Sequence, residues 1–183
     1  MGQLKQLLPF GNGTLLSHAI EVAREAGFSP IIVVLGAQAE RVEESIRSLP
    51  VEIVHNPDWR LGMGSSVSVG MKHILEAGTE AVALLVGDQP RVPATRLIAM
   101  RTLLESGPAL VVAAAYNDTL GVPAIFKRAL FTRLAALKPQ AGAKSLLFDK
   151  DVPVTAYELP EAAIDIDTPE DFAKQCRSEP MQL

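Results

Sequence analysis

Apolar residues in this chain fall into short continuous runs set between stretches with helical spacing, which predicts strands alternating with helices. Residues 31–35 and 81–86 carry no charged or hydrogen-bonding side chain, the pattern of strands buried on both faces. Leu15, Ala19, Val22 and Ala26 share one face of a helix over residues 14–26, which Gly27 stops. A second helix follows over residues 39–49, with Val42, Ile46 and Leu49 inward, and then a shorter strand over residues 51–54. Residues 55–61 form a loop, and a helix opens at Gly62-Met63-Gly64-Ser65-Ser66 and runs to about Ala77.

Beyond residue 90 the pattern predicts a helix over 93–106, strands over 109–116 and 121–126, and helices over 127–137 and 143–149. Residues 152–159 alternate like an edge strand. Such an order is that of an α/β protein.

With 183 residues, 48% of them hydrophobic, the chain can bury one substantial core, so residues 1–183 are expected to form a single domain. The net charge is −4, basic residues are scattered and aromatics make up 5%, which argues against a nucleic-acid groove. A single cysteine, Cys176, excludes an internal disulfide and a cysteine-built metal site. No apolar run reaches the roughly 18 residues of a membrane span, and no leader pattern opens the chain, so a soluble, cytoplasmic protein is expected.

Candidate chemistry starts at Gly87-Asp88-Gln89-Pro90, directly after the strand over 81–86. In an open α/β sheet ligands bind beyond the carboxyl ends of strands, and an acid there can hold a divalent cation against phosphates. An aspartate after a strand can also do no more than close a turn. Gly62 and Gly64 would let backbone approach a ligand, with Ser65 and Ser66 at a helix start whose first amides are free to donate; bare capping explains the same residues. Near the C-terminus Thr168 and Pro169 read as a helix start, which leaves Asp165 and Asp167 unexplained as caps. Asp88 and Asp167 would make a sensible pair for one Mg²⁺, which takes oxygen ligands and usually one or two carboxylates. His18, His55 and His73 read as structural or exposed, and Trp59 as a packed loop anchor.

Five ordered motifs carry a family resemblance. Lys5 to Leu16 (K-Q-L-L-P-F-G-x-G-T-L-L), Asn56 to Ser66 (N-P-D-W-x-x-G-M-G-S-S), Gly87 to Pro90 (G-D-Q-P), Gly121 to Phe126 (G-x-P-A-I-F) and Asp165 to Asp171 (D-I-D-T-P-E-D) resemble the MobA-like nucleotidyltransferases, in particular the molybdenum cofactor cytidylyltransferase branch. The resemblance implies a Rossmann-like, three-layer αβα fold with a mostly parallel sheet. It also implies Mg²⁺-dependent transfer of CMP from CTP to molybdopterin with release of pyrophosphate, and transient contact with a molybdoenzyme or its maturation factor. Carried over by position, Asp88 and Asp167 would hold the metal and Lys5 would reach the triphosphate. Gly62, Gly64, Ser65, Ser66 and Gly87 would line the nucleotide.

The family's opening strand and Gly-rich phosphate loop would precede Met1, and that strand is expected between the strands over 31–35 and 81–86. Val122 stands where the branch often has histidine, and residues 138–143 replace a loop that usually carries Gly-Asp. Guanylyl transfer, a phosphorylated metabolite as acceptor, and an inactive nucleotide-binding remnant are the alternative readings.

Overall fold

The computed structural model describes residues 4–75, 78–164 and 166. Lys5–Leu7 form a 3₁₀ turn that leads into a small antiparallel hairpin of β1 (Pro9–Phe10) and β2 (Gly13–Thr14). Thr14 then caps α1 (Leu15–Glu25): its side chain accepts from the Ser17 amide at 3.2 Å, and Ser17 Oγ receives the Thr14 amide at 2.7 Å. This reciprocal box is why the helix starts there, and Gly27 at φ +78° ends it.

Next come β3 (Ile32–Leu35), α2 (Ala39–Ile46), β4 (Glu52–His55), a 3₁₀ turn over Trp59–Leu61, α3 (Met63–Ile74), β5 (Ala81–Leu84) and α4 (Ala94–Ser106). The remaining described elements are β6 (Val111–Tyr116), β7 (Thr119–Lys127), α5 (Phe131–Ala135), α6 (Lys144–Leu147) and β8 (Val154–Glu158). The expected helices over 127–137 and 143–149 are shorter than their sequence pattern, the first because a 3₁₀ turn over Arg128–Leu130 replaces its opening turn.

The strand pairing is mixed. β3 and β4 form a parallel pair, and the larger sheet runs β5-β7-β6-β8, with β7 antiparallel to both neighbours and β8 parallel to β6. Asn117 and Asp118, both at positive φ, make the tight β6–β7 turn. Pro123 is accommodated in the middle of β7 by a register shift. Ala113 faces Ala124 and Ala114 faces Gly121, so Val122 and Pro123 stand outside the ladder, where a residue without an N–H costs no hydrogen bond. β8 lies at an edge, as its alternation implies.

β5 differs from its expected state. Its four residues are half-buried, because β5 is an edge strand whose only partner among the described residues is β7. β3 likewise pairs only with β4 among the described residues. Yet the two strands share the same covers. On one face, α1 sets Ile20 against Val33 and Leu35, and Val22 and Ala26 in a cluster with Ala81, Ala83 and Leu85. On the other, Met71 and Ile74 of α3 share a cluster with Ile32, Val82 and Leu84. Helices thus bridge both faces of two strand edges that do not pair with each other. No helix among the described residues is long and apolar enough to cross a membrane.

Candidate functional site

The chain leaves β5 through Gly87 and Asp88 and enters α4 after Pro93. Two tethers fix this turn. His18 Nε2 of α1 lies 3.1 Å from the Pro90 carbonyl, and the Phe10 ring packs on the imidazole with centroids 4.7 Å apart. This gives His18 a structural task, that of a donor to a carbonyl. The Gln89 side chain is buried and its Nε2 donates to the Ala162 carbonyl at 2.8 Å.

Lys5 comes to the same place from the first described turn. Its Nζ lies 4.0 Å from Asp88 Oδ2, and both side chains are about one-third exposed. A cation and a carboxylate at that distance, still open to water, form a weak ion pair but leave charge of both signs at the mouth of a strand. The Ile166 amide donates to the Asp88 carbonyl at 3.0 Å, and its fully buried side chain packs with Leu8, Phe10 and Leu15. Asp165 and Asp167 flank Ile166 in sequence but lie outside the described residues.

Gly62 to Ser66 form a different kind of turn. Gly62 sits at φ +125° and caps α3. The Gly64 amide donates to the Pro139 carbonyl at 2.8 Å, and the Ser65 amide returns to Gly62 O at 3.1 Å. A Cβ on Gly64 would stand 2.1 Å from Lys138 O and 2.9 Å from Pro139 O. Two of the amides expected to be free are therefore engaged, and glycine is required here by the approach of another backbone segment. Ser65 Oγ donates within the loop, to Gly62 O at 2.8 Å or Asp58 O at 3.1 Å, and the buried Asn56 spans from 2.9 Å at Ser65 Oγ to 3.0 Å at Ser66 Oγ. Asn56 Oδ1 also accepts the Asp58 amide at 3.0 Å. In the sequence Asn56 has no role beyond its place in the Asn56–Ser66 motif, and residues 138–143 none beyond replacing the family's loop; a polar residue beside a proline gives no sign that it will be a buried hub. Trp59 packs its Cβ against Gly36 just after β3, where a side chain at Gly36 would collide with it at 2.5 Å.

That contact makes a side chain at Gly64 costly to the fold itself. Gly64→Ala should lose about 1–3 kcal/mol through overpacking, seen as a melting temperature lower by roughly 2–4 °C per kcal/mol. An unchanged melting temperature would show that residues 138–140 yield without cost.

Gly87 is the open glycine of the set. A Cβ there would meet only Leu16, at 3.7 Å, an ordinary contact. Among the described residues no group of three acids, histidines or cysteines is placed to hold a metal. What the described turn offers is a water-accessible carboxylate beside an ammonium, a hard oxygen donor that suits a cation completing its shell with phosphate and water. The residues present fit such an ion.

Residues 1–154 match the MobA-like NTP transferase domain. The chain belongs to that family. The molybdenum cofactor cytidylyltransferase of Escherichia coli K12 is 28% identical over 94% of this MobA-like chain and 86% of its own length. Nicotine blue oxidoreductase of Paenarthrobacter nicotinovorans is 35% identical over 68% of the chain, which spans only 58% of that relative. The crystal structure of Rv0371c from Mycobacterium tuberculosis in complex with manganese superposes with a TM-score of 0.79, at 27% identity, covering 96% of this chain and 92% of its own. The fold is thus the α/β fold of nucleotidyltransferases, and a protein that shares it is found with a divalent metal.

Proposed function

We propose that the protein transfers CMP from CTP to the phosphate of molybdopterin. In this reaction an acceptor phosphate oxygen attacks the α-phosphorus, the bond to the bridging oxygen of the β-phosphate breaks, and pyrophosphate leaves. An anionic acceptor meets an anionic donor, so neutralising charge is the main task of the protein. The observation that carries the reading is Lys5 Nζ 4.0 Å from Asp88 Oδ2, on a turn whose backbone receives the Ile166 amide. Lys5 supplies a fixed positive charge to the triphosphate. Asp88, with Asp167 as its partner in sequence-based assignment, holds Mg²⁺, which when bound offsets the charge of the α-phosphate and leaving group. Gly87 lets the phosphates approach the turn. Gly62, Gly64, Ser65 and Ser66 build the wall toward base and ribose, with Asn56 fixing its shape.

The E. coli cytidylyltransferase, matched over most of both chains, supports CTP and molybdopterin among the possible substrates. A cytoplasmic setting suits a chain with one cysteine, and a molybdoenzyme or its maturation factor would receive the product. Pyrophosphate release measured with Mg²⁺, molybdopterin and each NTP in turn tests the proposal. Release with CTP alone supports it; preference for GTP points to guanylyl transfer, and release only with another phosphorylated acceptor reassigns the substrate. No release and no NTP binding would make the chain an inactive relative.

Gly87→Ala separates binding from folding. Its Cβ has room in the protein, so the melting temperature should hold while the CTP dissociation constant rises about tenfold, from one obstructed approach worth roughly 1.4 kcal/mol. Calorimetry returning wild-type affinity would remove Gly87 from the nucleotide site.

A further inference from the structure

Lys5 and Asp88 stand at the two ends of one bracket of contacts. The Leu8 amide donates to the Lys5 carbonyl at 3.0 Å as the chain enters the β1–β2 hairpin, and the Leu15 amide, opening α1, donates to the Leu8 carbonyl at 3.0 Å. The buried Phe10 of that hairpin sets its ring 4.7 Å, centroid to centroid, from the imidazole of His18, tilted by 55°. His18 in turn reaches a residue 72 positions further along the chain, with Nε2 at 3.1 Å from the Pro90 carbonyl. Pro90 is buried and stands two residues beyond Asp88. One side chain therefore touches both the hairpin that follows Lys5 and the turn that bears Asp88.

We propose that His18 is a positioning residue that fixes the Asp88 turn against the hairpin following Lys5, so that the carboxylate meets the cation at a set distance from the ammonium; this rests on the metal reading above. The charged pair cannot set that distance itself. Lys5 Nζ and Asp88 Oδ2 are 4.0 Å apart and both side chains are about one-third exposed, the kind of ion pair that water and salt weaken. Apolar packing beneath the turn is present too: Leu16 lies beside Gly87, and Val22 clusters with Leu85 and Val92. Such burial is non-directional. The His18 bond adds a defined length and direction, which matters because a magnesium-type cation demands near-ideal placement of its oxygen ligands. The Gln89 side chain fastens the same turn to the Ala162 carbonyl, but it makes no link to the hairpin. With a carbonyl as acceptor, Nε2 of His18 carries the proton, and the ring face remains for Phe10. Groups that orient a metal ligand without touching the metal typically change its affinity 10- to 100-fold.

Two substitutions separate the donor from the ring. His18→Phe keeps an aromatic ring against Phe10 and removes the donor, whereas His18→Gln removes the ring and returns an amide nitrogen close to the place of Nε2. Two readouts apply to the purified chain without substrate. In His18→Phe, Mn²⁺ alone, titrated by electron paramagnetic resonance, should bind about tenfold more weakly, and His18→Gln should recover affinity to within about threefold of the wild type. The Val92 and Ile166 amides, which bond to the Gln89 and Asp88 carbonyls, should exchange at least about tenfold faster in His18→Phe while amides of β6 and β7 keep their protection. A residue that only filled space would give the opposite ranking, with Phe closer to the wild type than Gln, and that ranking overturns the proposal. Unchanged Mn²⁺ affinity in His18→Phe overturns it as well, whether or not exchange quickens. If His18→Phe loses protection in β6 and β7, His18→Leu, smaller and equally without a donor, takes its place with the same expectations. Mn²⁺ affinity that is identical in the wild type and in Asp88→Asn marks a separate failure: the metal reading itself falls, and the role of His18 falls with it whatever the exchange shows.

Discussion

Asp88→Asn is expected to reduce Mg²⁺-dependent nucleotidyl transfer by about three orders of magnitude or more, a loss of roughly 4 kcal/mol of transition-state stabilisation. Asparagine keeps the size of the side chain and one acceptor oxygen. What it loses is the negative charge that makes an oxygen a strong ligand for a hard cation. The fold should not notice. The Asp88 carbonyl, which holds Ile166, belongs to the backbone and is untouched by the change. The ion pair to Lys5, at 4.0 Å between two partly exposed groups, is of the kind that contributes at most about 1 kcal/mol. Melting temperature and turnover should therefore separate cleanly. Lys5→Met offers a contrast, since on the proposed reading it removes the cation that faces the triphosphate and leaves the Asp88 carboxylate in place, so KM for the nucleotide should rise and kcat fall together. An Asp88→Asn protein that turns over at the wild-type rate would end the assignment of Asp88 to the metal.

The sequence made the ends of elements readable where local chemistry sets them. Thr14 and Gly27 bracket α1 because a hydroxyl that can cap and a residue that can take positive φ act on their own neighbours. The turn after β5 was readable for the same reason: an apolar run followed by Gly87, Asp88 and Pro90 has few other local solutions. Lys5 and Asp88, far apart in sequence, were paired through the resemblance of ordered motifs, and the structure brings them within reach of each other. Contacts set by distant backbone left no such trace. Gly64 owes its identity to Lys138 and Pro139, which no local pattern announces, so a turn read as open to ligand is packed against a loop. Gln89 carried no role in the sequence beyond its place in the Gly87–Pro90 motif, because its partner is a carbonyl at Ala162 and carbonyls have no sequence signature. β7 was read too short: the strand extends from Thr119 to Lys127, with Pro123 at a register shift.

The half-burial of β5 leads to the second large effect. A parallel arrangement of apolar positions lines the edges of β3 and β5: Val33 and Leu35 with Ala81, Ala83 and Leu85 toward α1, and Ile32 with Val82 and Leu84 toward α3. Because α1 and α3 each pack on both strands, an extended apolar segment placed between the edges would be covered on both faces and could hydrogen-bond on both sides. Burying about four aliphatic side chains contributes roughly 6–12 kcal/mol at 1.5–3 kcal/mol each. Ordering four residues costs about 4–8 kcal/mol of backbone entropy. The midpoints of the two ranges leave a net of about 3 kcal/mol, or a melting temperature higher by roughly 6–12 °C for a chain of this size. The expected result is that appending about 15 residues ahead of Met1, an apolar β-prone strand followed by a Gly-rich loop, raises the melting temperature by that amount and sharpens the transition. It should also reduce aggregation, since unpaired strand edges template association. On the family resemblance the Gly-rich loop would bring further backbone amides to the Asp88 turn, so Mg²⁺-dependent CTP affinity should rise in the same protein. A matched segment with proline and aspartate in place of its central apolar residues keeps the added length but cannot pair, and it should give none of these gains. Equal melting temperatures for the two fusions would mean that the edges of β3 and β5 do not admit a strand, and that the half-exposed face of β5 is satisfied as it stands.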